Sequence, residues 1–188
     1  MPSAPSRWEE TIREYERQDA AGEVPHGRIL FIGSSSITRW DLPSYFPRQD
    51  LVNRGFGGSQ LWEVADLAER YVTALEPRQI VLYAGNNDLG AGRTPQQVLE
   101  AYRQFVAKVR PALPQTPILF VSVKPSPLRR HLMDAMREAN GLVQAEARRG
   151  SRLDFLDIFD LYLDAAGEPR SELFVEDRLH LSHEGYLL

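Results

Sequence analysis

Five short apolar runs alternate with amphipathic segments along this chain, and that alternation limits its fold more than any other feature. The runs are Arg28–Ile32, Leu51–Asn53, Gln79–Ala84, Pro117–Val123 and Leu153–Ile158. Each is too short for an ordinary helix and apolar enough for a strand buried on both faces, as in a parallel sheet. The segments between them carry helical spacing. In Leu61–Leu75, residues Leu61, Val64, Leu67, Ala68, Tyr71 and Val72 share one face. Thr94-Pro95 supplies a cap and a first-turn proline for a helix to about Arg110. Arg129–Arg149 reads as a further helix, and Trp8–Asp19 as an N-terminal one with Trp8, Ile12 and Tyr15 in a stripe. The expected fold class is therefore α/β: a three-layer α/β/α sandwich, flavodoxin-like, with a five-stranded, mainly parallel sheet.

The segments after the strands read as turns. Pro43–Asp50 is expected as a loop, Gly85–Asp88 as a turn, and Lys124–Pro127 as neither helix nor central strand. Val175–His183 reads as a loop, with Ser182 capping a short last helix. In a parallel sheet these strand-to-helix turns meet at one edge, where ligands bind. Residues far apart in sequence can then converge.

The polar residues at that edge are a chemically coherent set. The first strand ends in Gly33-Ser34-Ser35-Ser36. A serine there is an N-cap in many α/β proteins. It is also well placed as a nucleophile beside free helix N–H groups. Asp177-Arg178-Leu179-His180 offers a base and a carboxylate to orient it, three residues apart. The Gly58 N–H and the Asn87 amide are suitable oxyanion donors beside the Ser35 N–H.

These blocks resemble the SGNH hydrolases, the superfamily of GDSL-type lipases and esterases. Gly33-Ser34-Ser35 is similar to its Gly-Asp-Ser block. Asn53-Arg54-Gly55-Phe56-Gly57-Gly58, Gly85-Asn86-Asn87-Asp88 and Asp177-Arg178-Leu179-His180 match its later blocks in order. The resemblance implies Ser35 as nucleophile, His180 as base and Asp177 as its partner. It implies Ser35, Gly58 and Asn87 as the oxyanion hole, and hydrolysis of a small-molecule ester or thioester through an acyl-enzyme. It implies no metal and no cofactor. Ser34 stands where the family usually has aspartate, which bears on the support of the nucleophile turn. Ser34, Phe56, Trp40 and Lys124 are candidate pocket-wall residues, with Lys124 expected solvated or at a rim. Trp40, Tyr45, Phe56 and Trp62 are the aromatic residues that would otherwise be core. His26 and His131 read as surface residues.

Composition narrows the alternatives. The chain has 188 residues, enough for one domain spanning 1–188, with residues 1–27 expected as an N-terminal helix and loop packed on it. The net charge of −4 gives no electrostatic case for nucleic acid or an anionic membrane. The absence of cysteine removes disulfides and a thiolate nucleophile. The polar start does not read as a signal peptide, and no apolar run reaches the ~20 residues of a membrane span, so a cytoplasmic location is expected. An α/β-hydrolase elbow, G-x-S-x-G, fails at Ile37. No P-loop is present and no aspartate ends the first strand, which disfavours use of the same sheet for a cofactor or for phosphorylation. A metal reading of Asp177, His180 and His183 leaves Ser35, Gly58 and Asn87 without a role. The alternative from another class is a non-catalytic binder of acylated sugars or lipids on the same fold.

Overall fold

A computed structural model describes residues 6–47 and 49–188; residues 1–5 and 48, which fall within the expected N-terminal segment and the Pro43–Asp50 loop, lie outside the described set. Five parallel strands form one sheet in the order β2-β1-β3-β4-β5. They are β1 (Ile29–Gly33), β2 (Leu51–Gly55), β3 (Gln79–Tyr83), β4 (Ile118–Val121) and β5 (Leu153–Leu156). All five expected strands are present, and the sheet is wholly parallel rather than mainly so.

The helices cover the two faces unequally. Four long helices pack on one side: α1 (Glu9–Ala20), α4 (Leu61–Tyr71), α6 (Pro95–Val109) and α7 (Met133–Ala147). Alternate strand residues (Leu30, Ile32, Ile80, Leu82, Ile118 and Phe120) meet their apolar stripes in the main core. The other strand residues (Phe31, Val81, Tyr83 and Val121) pack with Ile37 of α2 (Ser35–Thr38) and Leu42 of α3 (Leu42–Tyr45). On that side an apolar hollow of about 400 Å³ remains, lined by Trp40, Leu119, Leu156 and Tyr186 among others. Two further short helices, α5 (Asn86–Gly90) and α8 (His183–Tyr186), lie at the carboxyl edge and near the end of the chain. No helix among the described residues is long and apolar enough to cross a membrane.

Several expected boundaries move for identifiable reasons. β2 runs two residues past Asn53 because Arg54, which looks like the polar end of a strand, is buried and paired with Asp19 of α1. The fourth long helix, α7, begins at Met133 rather than Arg129, because Pro127–Leu132 forms a 3-10 turn in which Arg129 is non-helical. The helix from Leu61 ends at Tyr71, and Thr73–Leu75 tightens into a 3-10 turn. Thr94 caps α6 as expected, accepting the Gln97 N–H at 3.2 Å.

Gly85–Asp88 is not a simple turn. Gly85 takes φ +109°, and a side chain there would press on Val98 and Val123 at 3.1–3.2 Å. The next residues form one helical turn, α5. Asp88 is wholly buried, and its carboxylate accepts the Leu61 N–H at 2.7 Å, closing the N-terminus of α4. Burial raises the Asp88 pKa, and the N–H groups of Leu61, Asp88 and Trp62 oppose that rise.

Candidate active site

Ser35 is the first residue of α2, directly beyond β1. Neither it nor its neighbour serves as a side-chain cap. Ser34 holds the N-cap position in extended geometry, but its hydroxyl makes no capping bond. The Ser35 hydroxyl instead meets a ring nitrogen from the far end of the chain, with 2.8 Å between Oγ and His180 Nε2. His180 Nδ1 lies 2.6 Å from Asp177 Oδ2.

The loop that carries these last two residues is tightly built. An antiparallel bridge between Phe174 and Leu181 closes its base. Arg178 sits in the left-handed region at φ +59°, which turns the chain between Asp177 and His180. Asp177 Oδ1 then accepts the N–H groups of both Leu179 and His180 at 2.9 Å. Burial pushes the Asp177 carboxyl up, but the His180 N–H, the His180 ring and the Leu179 N–H outweigh it and hold the group well below the usual range. Arg39 adds a cation 3.8 Å away. An ionised Asp177 assigns the ring proton to Nδ1, so His180 donates to Asp177 and its Nε2 accepts from the Ser35 hydroxyl.

Two struts from the segment after β4 hold this loop. The Leu128 N–H donates to the Arg178 carbonyl at 3.0 Å, and Lys124 Nζ donates to the Leu179 carbonyl at 2.9 Å. Lys124 is therefore not solvated, as the sequence suggested: only 2% of it is exposed, with Nζ 4.8 Å from the Phe174 ring centroid, although it does form part of the wall of the apolar hollow on the sheet face and of a smaller polar one beside Ser35. Burial lowers its pKa to about 7, the positive Arg129 acts in the same direction, and Asp177 opposes them. The folded-state value lies below the ordinary 10.5, so between about pH 7 and 10.5 the unfolded chain binds a proton that the folded chain does not. Stability contributed by this group thus rises with pH through that window. Urea unfolding of the wild type should gain about 2 kcal/mol more than Lys124→Met between neutral pH and the upper part of the window. Equal pH dependence in the two proteins would contradict the buried, titrating lysine.

A small polar hollow of about 10 Å³ opens beside the serine, lined by Ser34, Ser35, Asn87, Arg129 and His180 among others. The Ser35 N–H, at the first position of a helix, has no intrahelical partner. Asn87 Nδ2 donates one hydrogen to the Ser59 carbonyl at 3.0 Å, leaving the second available. Gly58 is not in the lining of this hollow, although its loop is adjacent: a side chain on Gly57 would lie 3.9 Å from the Ser35 Cβ. The structure therefore brings Ser35, His180, Asp177 and Asn87 together, and places Gly58 alongside.

The remaining pocket-wall expectations separate. Ser34 lines the small hollow. Phe56 does not: it is 2% exposed and packs edge-on to Tyr71 and against Trp8 in the main core. Trp40 lines the larger apolar hollow on the sheet face, packed with Phe31, Phe46 and Tyr186. Trp62 is exposed under the Arg93 guanidinium rather than core. His183 takes part in a pair with Tyr45, 2.7 Å from Nδ1 to the hydroxyl. Among the described residues no group of three or more His, Cys, Asp or Glu side chains is arranged to hold a metal ion. Arg129 is the functional candidate that sequence reasoning missed. As the apparent start of a helix it carried no signal.

Residues 33–188 match the model of the GDSL-like lipase/acylhydrolase family. The chain belongs to that family. Membership makes it an ester-bond hydrolase in general terms. No curated protein matches the sequence significantly. Among solved structures, it is similar to one from Streptococcus pneumonia provisionally named a platelet activating factor, with 26% identity, TM-score 0.84, and coverage of 95% of this chain and 87% of that one. A GDSL-like lipase from Bacteroides thetaiotaomicron is 20% identical, with TM-score 0.76 and coverage of 93% and 91%. An acetyl-xylooligosaccharide esterase from Geobacillus Stearmophilus is 16% identical, with TM-score 0.66 and coverage of 87% and 91%. The last two likenesses are those of fold.

Proposed function

We propose that the protein is a serine esterase that removes acetyl or other short acyl groups from small-molecule esters, carbohydrate- or lipid-derived, through an acyl-enzyme. The observation that carries this reading is the unbroken relay from Ser35 Oγ through His180 to an ionised Asp177. A serine hydroxyl is a weak nucleophile until a base within hydrogen-bond reach takes its proton. Here His180 Nε2 is that base. Ser35 Oγ attacks the ester carbonyl carbon as its proton passes to Nε2. The carbonyl oxygen becomes an oxyanion, met by the Ser35 N–H, the free hydrogen of Asn87 Nδ2 and the Gly58 N–H. Collapse of this intermediate breaks the ester C–O bond, and His180 returns the proton to the departing alcohol. A water molecule, activated by His180 in the same way, releases the acid and restores Ser35.

The acyl preference rests on room. The hollow between Ser35, Asn87 and His180 measures about 10 Å³, room for one water molecule. That suits a methyl better than a long chain. The acetyl-xylooligosaccharide esterase among the structural neighbours is in keeping with a carbohydrate-derived alcohol, with no weight beyond fold likeness. The test is a series of p-nitrophenyl esters from acetate to octanoate, together with acetylated xylo-oligosaccharides. kcat/KM should fall steeply as the acyl chain lengthens. A preference for octanoate would overturn the short-acyl assignment.

A further inference from the structure

Arg129 stands in an unusual place for a cation. It is half-buried, and all three hydrogen bonds of its side chain go to two consecutive asparagines in α5. Nη1 donates to the Asn86 carbonyl at 2.9 Å and to Asn86 Oδ1; Nη2 donates to Asn87 Oδ1 at 3.0 Å. A charged group withdrawn from water without a carboxylate costs free energy, so fold stability alone gives little reason to keep it there. Its effect on Asn87 is specific. A planar amide that accepts at Oδ1 on the Arg129 side must present its NH₂ on the other side. There Nδ2 gives one hydrogen to Ser59, itself buried and bonded through Oγ to the Gly33 carbonyl. Asn86 is fixed in turn by donating to the Lys124 carbonyl at 3.0 Å.

We propose that Arg129 is a positioning residue for the reaction: its guanidinium bridges Asn86 and Asn87, locks the orientation of the Asn87 amide and so aims the free Nδ2 hydrogen at the developing oxyanion. This rests on the assignment of Ser35 as nucleophile and Asn87 as oxyanion donor. The planar fork is what spans two carbonyl-type oxygens at once, which an ammonium on a single stem does not do. Gly90 belongs to the same device. A Cβ at Gly90 would lie 2.8 Å from the Arg129 Cζ and 2.9 Å from Nη2. The absence of a side chain at Gly90 is therefore what lets the guanidinium lie against α5.

The test compares wild type with Arg129→Gln, Arg129→Lys and Gly90→Ala. Two readouts are used: p-nitrophenyl acetate hydrolysis, and the rate of labelling by a fluorophosphonate probe, which needs no knowledge of the natural ester. Gly90→Ala displaces the guanidinium while keeping its charge, and it decides the matter if Arg129→Gln fails to fold. All three variants should lose about tenfold to a hundredfold in kcat and in labelling rate, less than deleting an oxyanion donor outright, with KM within about threefold of wild type. Rates within about twofold of wild type in Arg129→Gln or Gly90→Ala overturn the inference, as does full rescue by Arg129→Lys, which would mean that charge rather than the bridge matters. Failure of the probe to label wild-type Ser35 would instead overturn the esterase reading on which the inference stands.

Discussion

Ser35→Ala is expected to lower ester hydrolysis by about 10⁴-fold or more while leaving the fold intact. The size of the loss follows from the covalent step. Without Oγ there is no atom for the carbonyl carbon to bond, and His180 can at best activate water held in the wrong place. Some rate above background should persist, because the oxyanion donors and the binding surface survive the substitution. The small structural cost follows from what the hydroxyl touches. Its recorded partner is His180 Nε2, on a loop already fixed by the Asp177, Lys124 and Leu128 bonds. The turn itself is held by main chain, with Ser34 N–H on the Tyr83 carbonyl at 3.1 Å and the Ile37 and Thr38 N–H groups on the Ser34 carbonyl. Stability should change by no more than about 0.5 kcal/mol. A serine acting only as an N-cap would give the opposite pattern, a stability loss with turnover retained.

Gly33→Ala is expected to cost more stability than any other glycine replacement at the site, about 3–5 kcal/mol. Gly33 ends β1 at φ +133°, a region that L residues seldom occupy. Its Cβ would fall 1.9 Å from the Tyr83 carbonyl oxygen and 2.7 Å from the carbonyl carbon. These are backbone atoms of the neighbouring strand, paired with Gly33 in register, so no side chain can swing aside. The strands must part, and the Ser34–Tyr83 bond that seats the nucleophile turn goes with them. Activity should therefore fall together with stability. Gly167→Ala is the control. Gly167 also has positive φ, +79°, but open space around it, so its loss should be about 1 kcal/mol with activity unchanged. Urea midpoints measured side by side check both; equal losses at the two positions would contradict the steric argument.

The contrast between these residues shows what was legible in the chain. The strands were legible because a buried parallel strand writes itself as an unbroken apolar run, and Ile29–Ile32 and Gln79–Tyr83 are such runs. The convergence of Ser35, Asn87 and His180 was legible because topology alone brings strand ends to one edge. What was hidden depends on partners far away in sequence. Arg54 looks like the end of a strand until Asp19 is seen beside it. Lys124 looks solvated until Leu179 and Phe174 enclose it. The Asn86–Asp88 run has turn composition and becomes a helical turn because Asp88 is drawn inward to cap α4. Phe56, adjacent in sequence to the Gly57-Gly58 loop, turns into the core against Tyr71 instead of toward the site. Arg129 lay at the start of an apparent helix, where one basic residue among several says nothing of the asparagines it holds.

The central claim is that His180 and Asp177 make Ser35 a nucleophile. The most direct measurement is the intact mass of the folded protein after treatment with a fluorophosphonate, followed by mapping of the modified peptide. One adduct per chain on Ser35 is predicted, with labelling lost in His180→Ala. A folded protein that takes up no adduct, or that takes it up on another residue while Ser35 stays free, would contradict the account.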